Sequence, residues 1–241
     1  IIKPSTLAQD KNSFTELDEM QPFTRPLVHG GGCIYITHCW GDQWGTMVFS
    51  AVHGACNPNR HVFIDALCLN QHVDIPQIGD TSLFSFRDTI PMCHAMIVAT
   101  SPLHSLKDFL HEEEDRCAFL SSVKGNHAKM INPFFRLSCL VEIAQAVYCK
   151  LPVIVKCGSA IATPDPRPFS KELCVHFNST TAQESHLLQN LMSGLIDAEN
   201  AVCHSPVIRQ RLIDAIHAID GDGFALIESA VEGVLVSAVS S

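Results

Sequence analysis

The chain has 241 residues, of which 46% are hydrophobic and 17% are charged, and this composition suits one large globular domain or a domain with an extension. The net charge of −9, with no run among the 16 Lys and Arg residues, excludes the clustered basic face that nucleic-acid binding needs. No apolar run approaches the roughly 20 residues of a membrane span, and residues 1–30 hold no signal-peptide core. The eleven cysteines lie mostly in apolar segments, so we expect them to be reduced and the chain to be cytoplasmic.

Three regions follow one another along the chain. Residues 1–30 look irregular, residues 31–180 alternate short β-rich runs with helical stretches, and residues 181–241 read as a helical extension packed on them. Because the chain begins at Ile1 and not at Met, we expect it to be a piece of a longer protein. The pattern predicts strands at 33–37, 61–65, 95–100, 151–155 and, more weakly, 173–177. It predicts helices at 44–52, 84–92, 135–149, 183–192, 207–219 and 224–239.

Strands that alternate with helices at this spacing predict an α/β fold, in which a parallel sheet carries helices on both faces. In such sheets ligands bind beyond the carboxyl ends of the strands, where the strand order reverses. This rule directs attention to residues 37–41, 65–72 and 100–103.

The helix predicted at 135–149 carries one carboxylate. Its broad apolar face holds Leu137, Leu140, Val141, Ala144, Val147 and Tyr148, and the opposite side is also fairly apolar, with Cys139, Ile143 and Ala146. A narrow polar stripe of Ser138, Glu142 and Gln145 remains. Glu142 therefore faces either solvent, as most helix glutamates do, or a cleft.

Two further groups stand at the predicted ligand edge. Asp65 ends the second strand, where it is either a structural cap of the following loop or a ligand-binding group. Trp40 and Trp44, the two tryptophans of the chain, follow the first strand, where they either fill the core or offer ring faces to a base or nicotinamide. The long connection at 104–134, with its acidic run at 112–115, is either a solvated helix face or a lid.

Three sequence blocks in this order resemble Toll/interleukin-1 receptor (TIR) domains of protist and algal proteins. The blocks are His38-Cys39-Trp40-Gly41, residues 63–71 (FIDALCLNQ) and residues 136–142 (RLSCLVE). The middle block also resembles fungal heterokaryon-incompatibility domains, and the last resembles the Trp-Cys-x-x-Glu motif of plant-type TIR helices, with Ser138 in place of the tryptophan. The resemblance covers about residues 33–160.

The resemblance implies a flavodoxin-like, doubly wound parallel sheet of about five strands. It implies that Glu142 is the catalytic carboxylate of an NAD⁺ glycohydrolase or cyclase that acts in signalling or defence and self-associates through TIR–TIR contacts. NAD⁺ would be the substrate, with no metal and no resident cofactor. The residues expected to line the substrate cleft are Thr37, His38, Trp40, Gly41, Trp44, Asp65, Asn70, Gln71, His72 and Ser138.

Other chemistries have weaker support in the sequence. No Cys-x-x-Cys or His-Glu-x-x-His spacing indicates a metal site, and no Gly-x-Gly-x-x-Gly indicates a dehydrogenase. A thiol hydrolase using Cys39 or Cys68 with His38 or His72 is a further alternative. The main rival is a TIR-like adaptor that works by homotypic assembly without turnover, which the serine at position 138 favours.

Overall fold

The computed structural model describes residues 9, 11, 13–42, 44–55, 60–68, 85–100, 123–164, 173–179, 196–219 and 221–239. The strands are β1 (Ile34–His38), β2 (Val62–Ile64), β3 (Ala95–Thr100), β4 (Val153–Pro164) and β5 (Leu173–Ser179). The α-helices are α1 (Trp44–Ala55), α2 (Asp65–Cys68), α3 (Ser85–Thr89), α4 (Val123–Ile131), α5 (Leu137–Tyr148), α6 (Pro206–His217) and α7 (Gly223–Val239). Short 3₁₀ helices occupy Phe14–Glu16, Asp18–Phe23, Ile90–Met92 and Pro133–Phe135.

The strands form an open sheet in the order β2-β1-β3-β4-β5. β1 pairs in parallel with β2 and with β3, and β3 pairs in parallel with β4. The prediction of an α/β fold with a parallel sheet is therefore confirmed for four strands. The fifth strand differs from the prediction, because β5 pairs antiparallel to the outer half of β4, from Gly158↔Ser179 to Pro164↔Leu173.

Both faces of the sheet are covered by apolar side chains. On β1 and β3, Ile34, Ile36 and Ile97 point to one face, where Met47 and Ala51 of α1 pack on them. Tyr35 and Met96 point to the other face, which α5, α6 and α7 cover. Strands buried on both sides are apolar at successive positions, as the unbroken run of β3 is.

The C-terminal helices share the core of the sheet. α6 begins after Ser205, whose hydroxyl accepts a hydrogen bond from the Ile208 amide, with Pro206 at the first helical position. Leu212 and Ile216 of α6 and Val231 of α7 belong to the same cluster of buried side chains as Leu140 of α5. No helix within the described ranges is both long enough and apolar enough to cross a bilayer.

The buried face of α5 differs from the predicted one. Its buried residues are Leu137, Cys139, Leu140, Ile143 and Ala146. Val147 and Tyr148, which belong to the broad apolar face of the sequence pattern, are 37% and 83% exposed, so this part of the face is not buried. The apolar stripe of this helix is wider than the surface that the sheet and α7 cover, and the pattern alone could not show which part would be buried.

Candidate active site

Glu142 on α5 is held by a tyrosine of the first strand. The Tyr35 hydroxyl donates a hydrogen bond of 3.1 Å to Glu142 Oε1. Tyr35 is 2% exposed, and its ring stacks on Phe63 of β2 with ring centroids 5.5 Å apart. The Glu142 side chain itself is partly exposed. Of the two alternatives for this carboxylate, the structure shows a partly enclosed, hydrogen-bonded group and not a freely solvated one.

Burial shifts the ionisation of this carboxyl group. Loss of solvent, followed by the nearby charge of Asp65, raises the pKa of Glu142 to about 8. Thr37 and Tyr35 act in the opposite direction and lower the pKa of Glu142. Burial and the same two carboxylates raise the pKa of Tyr35 well above its usual value, so its hydroxyl stays a proton donor. The site therefore disfavours the negative charge of Glu142.

Thr37 lies on the same face of β1 as Tyr35, since side chains alternate along a strand. It is 1% exposed, and its hydroxyl has no hydrogen-bond partner within the part of the chain that the structure describes. The hydroxyl is close enough to lower the pKa of Glu142, but no hydrogen bond of ordinary geometry joins the two groups. A buried hydroxyl without a partner is unfavourable, and Glu142 and Cys139 are the polar side chains whose pKa this hydroxyl lowers.

Asp65 holds the second group of predicted residues together. It follows β2 directly and begins α2, where its Oδ1 accepts a hydrogen bond of 2.6 Å from the Ala66 amide. Its Oδ2 accepts a hydrogen bond of 3.1 Å from Trp40 Nε1, and His38 Nδ1 lies 3.8 Å from Oδ1. Asp65 thus bonds the backbone at the start of α2 and, at the same time, holds Trp40 of the loop that follows β1.

Both tryptophans are exposed, and Trp40 lies beside this carboxylate. Trp40 is 62% exposed and Trp44 is 49% exposed, so the alternative that they fill the core is wrong. The rings of His38 and Trp40 are nearly parallel, with an interplanar angle of 11° and centroids 6.5 Å apart. Exposed ring faces beside a carboxylate can stack on a flat, cationic ring.

The remaining predicted residues divide into three groups. Ser138 lies on α5 one turn before Glu142 and is partly exposed. Gly41 lies in the loop after β1 against the carbonyl oxygen of Met130. Asn70, Gln71 and His72 lie outside the described residues, as do the acidic run at 112–115 and the helix predicted at 183–192.

Two residues of the site were missed in the sequence. The sequence pattern marks Tyr35 only as a strand residue, although its two-residue spacing from Thr37 puts both on one face of β1. Met130, at the end of α4, reaches the loop after β1 from the long connection at 104–134. Nothing in the local pattern indicated this second contact, because it joins segments about ninety residues apart.

The cysteines near the site are poorly suited to nucleophilic catalysis. Burial raises the pKa of Cys68 to about 11 and also raises the pKa of Cys39, so both thiols are protonated at neutral pH. Cys139 is buried as well, and its thiol donates to the His38 carbonyl oxygen at 3.3 Å. Cys39 and Cys139 act as hydrogen-bond donors within the fold, and Cys68 is a protonated thiol, which weakens the thiol-hydrolase alternative.

The chain matches no protein-family model, no curated protein and no solved structure.

Proposed function

We propose that this chain is a TIR-type NAD⁺ glycohydrolase or cyclase in which Glu142 is the catalytic carboxylate. The observation that carries the proposal is the enclosed Glu142 carboxylate, hydrogen-bonded by Tyr35 and raised in pKa by burial and by Asp65. The ionised form of a carboxylate is unfavourable in such a site when the site is empty. It is therefore stabilised most when a positive charge develops beside it.

The strand order supports the same proposal. The four parallel strands run β2-β1-β3-β4, and the direction of this order reverses between β1 and β3, which is compatible with the proposed flavodoxin-like sheet. Thr37 and His38 end β1 at this reversal, and Asp65 follows the neighbouring β2. The candidate residues therefore lie where open α/β sheets bind their ligands.

The reaction fits the charges of the site. Breaking the bond between nicotinamide and ribose creates an oxocarbenium-like ribose, as glycoside hydrolysis does. Nicotinamide leaves from a cationic ring as a neutral molecule, so no general acid is needed to expel it. Ionised Glu142 stabilises the positive ribose, with the negative field of Asp65 acting in the same sense. Water then attacks the ribose to complete hydrolysis, or the adenine of the same molecule attacks it to give a cyclic product.

The aromatic residues supply a surface for the substrate. Trp40 and Trp44 expose their rings at the edge of the sheet, and Trp40 is oriented by its bond to Asp65. A nicotinamide or adenine ring stacked there would place the adjoining ribose near the carboxylates. The unpartnered Thr37 hydroxyl is a candidate donor or acceptor for that ribose.

The test is incubation of concentrated protein with NAD⁺, followed by chromatographic separation of the products, with Glu142→Ala in parallel. Release of nicotinamide by the wild type alone supports the enzyme, and the co-product, ADP-ribose or its cyclic form, distinguishes hydrolysis from cyclisation. Absence of release, even when assembly is forced by crowding or tethering, rejects the proposal.

The competing proposal is a non-catalytic TIR-like adaptor that acts by assembly of copies of this chain. Ser138 favours it, because a serine removes the large ring that the family motif places one turn before the glutamate. Sedimentation across a concentration series tests this alternative. Concentration-dependent assembly that is unchanged in Glu142→Ala, together with no nicotinamide release, would support the adaptor.

A further inference from the structure

The end of β1 and the loop after it are each held to a helix by a thiol group. Cys39 Sγ donates to the carbonyl oxygen of Met130, which joins the loop to the end of α4. Cys139 Sγ donates to the carbonyl oxygen of His38 at 3.3 Å, which joins the last residue of β1 to α5. Cys39 is 2% exposed, and burial keeps its pKa above the usual value, so it remains a protonated donor.

Gly41 brings the same loop into direct contact with α4. A Cβ atom added at Gly41 would overlap the carbonyl oxygen of Met130, and it would also approach Cγ2 of Ile131 to 3.7 Å. The carbonyl is backbone and cannot rotate away as a flexible side chain would. This close approach therefore needs a residue without a side chain at position 41.

The other partner in this contact is itself held in place. Arg136, which is 6% exposed, points Nη1 at Met130 Sδ across 3.7 Å. Asn132 caps the 3₁₀ turn between α4 and α5 by accepting a hydrogen bond of 2.9 Å from the Phe134 amide. These contacts tie the end of α4 to the turn that leads into α5.

The loop fastened in this way carries the groups that meet Asp65. His38 and Trp40 flank Cys39, and both approach the Asp65 carboxylate, at 3.8 Å and 3.1 Å. A displacement of the loop from α4 would therefore disturb the indole bond to Asp65.

We propose that Cys39 and Gly41 are positioning residues, which seat the loop after β1 on the Met130 carbonyl and so orient Trp40 and His38 on Asp65. In this arrangement the end of the 104–134 connection is a clamp on the candidate site. The orientation of Trp40 does not depend on what the site catalyses, and only its consequence for turnover rests on the proposed function.

The test follows the Trp40 indole directly. The chain has two tryptophans, so a Trp44→Phe background leaves one indole resonance in a ¹⁵N-labelled sample. Asp65→Ala in this background gives the position of that resonance when the bond is lost. We expect Gly41→Ala and Cys39→Ala to move the resonance toward that position. Cys39→Ser, which keeps a donor, should stay near the parent.

Gly233→Ala is the matched control, because a Cβ atom there would meet nothing within 4 Å. The proposal is overturned if Gly41→Ala and Cys39→Ala both fold and leave the Trp40 resonance unchanged. If Gly41→Ala does not fold, the comparison of Cys39→Ala with Cys39→Ser decides in its place.

A second readout separates this inference from the proposed function. In a chain that cleaves NAD⁺, both loop variants should raise KM severalfold more than they lower kcat, since Glu142 keeps its bond to Tyr35. If the chain cleaves no NAD⁺ but shows the resonance shifts, the proposed enzyme activity is rejected and the positioning role of Cys39 and Gly41 is retained.

Discussion

Tyr35 of β1 and Glu142 of α5, which lie 107 positions apart in the chain, are joined by a hydrogen bond of 3.1 Å. The bond links the central region of the sheet to the helix that covers it, and it ends on a carboxylate whose pKa is raised to about 8. Asp65 contributes to that rise from the end of β2. This pair of carboxylates and the tyrosine make the site sensitive to pH.

The first prediction concerns the pH dependence of NAD⁺ cleavage. The proposed function makes ionised Glu142 the active form, so it predicts that kcat/KM falls about tenfold per pH unit below a midpoint near 8. Asp65→Asn removes the charge that helps to raise this pKa and keeps an acceptor for Trp40, so the midpoint should move to lower pH. Steady-state rates at pH 5–10 measure it, with Asp88→Asn, an exposed residue of α3, as control. A midpoint in Asp65→Asn equal to that of the wild type would contradict the claim that Asp65 raises the pKa of Glu142.

The second prediction concerns Tyr35. Its hydrogen bond lowers the pKa of Glu142, so Tyr35→Phe should move the midpoint to higher pH, opposite to Asp65→Asn. A hydrogen bond worth about 0.5–1.5 kcal/mol corresponds to a shift of up to about one pH unit. The same rate series measures this shift. A midpoint that moves down, or stays in place, contradicts the assigned role of the hydroxyl.

The third prediction concerns stability and needs no activity. The folded pKa of Glu142 is about 8 against an ordinary 4.5, so the folded chain holds a proton that the unfolded chain releases in this window. The contribution of this proton to the free energy of unfolding is fully present below pH 4.5. It is lost as pH rises to 8, by at most about 1.4 kcal/mol per pH unit.

Glu142→Gln removes this dependence. Its free energy of unfolding relative to wild type should rise between pH 5 and pH 8 and then level off. Urea unfolding at four pH values measures this difference, and Glu232→Gln on α7 is an exposed control. A difference that is constant with pH would show that Glu142 titrates normally in the folded chain.

The fourth prediction uses two glycines of α7. A Cβ atom at Gly223 would crowd the Ile216 carbonyl oxygen at 2.5 Å and its Cγ2 at 2.8 Å, so Gly223→Ala should destabilise the chain. Gly233 is an exposed position inside the helix with open space around it, so Gly233→Ala should stabilise it by about 0.5–1 kcal/mol. Thermal unfolding of both variants is the measurement. Equal effects of the two substitutions would contradict the packing of α6 on the start of α7.

Much of the fold can be predicted from local patterns. The segment at 95–100 forms β3 as expected, and α5 lies within the predicted 135–149, because each is a long apolar run with clear ends. β4 is less predictable, since it was expected at 151–155 and extends from Val153 to Pro164. Its outer half is paired by β5, and pairing with a distant segment is not encoded in the local alternation.

The candidate site was predictable only in part. The strand-end rule places Thr37, His38 and Asp65 at one edge of the sheet. The hydrogen bond between Tyr35 and Glu142 cannot be predicted from the local pattern, in which Tyr35 is an ordinary strand residue. It depends on the packing of α5 on β1. The clamp at Met130 was also not foreseen, since it depends on a backbone carbonyl, and any residue supplies one.

The most direct test of the account is the initial rate of nicotinamide release from NAD⁺ at pH 9, where Glu142 is ionised, by the wild type, Glu142→Gln and Glu232→Gln. Glutamine keeps the shape and the Tyr35 contact but not the charge. The account predicts release by the wild type and by Glu232→Gln, and a loss of at least about a hundredfold in Glu142→Gln, typical of a removed electrostatic group. Equal rates in all three proteins, or no release by any of them, would contradict a catalytic Glu142.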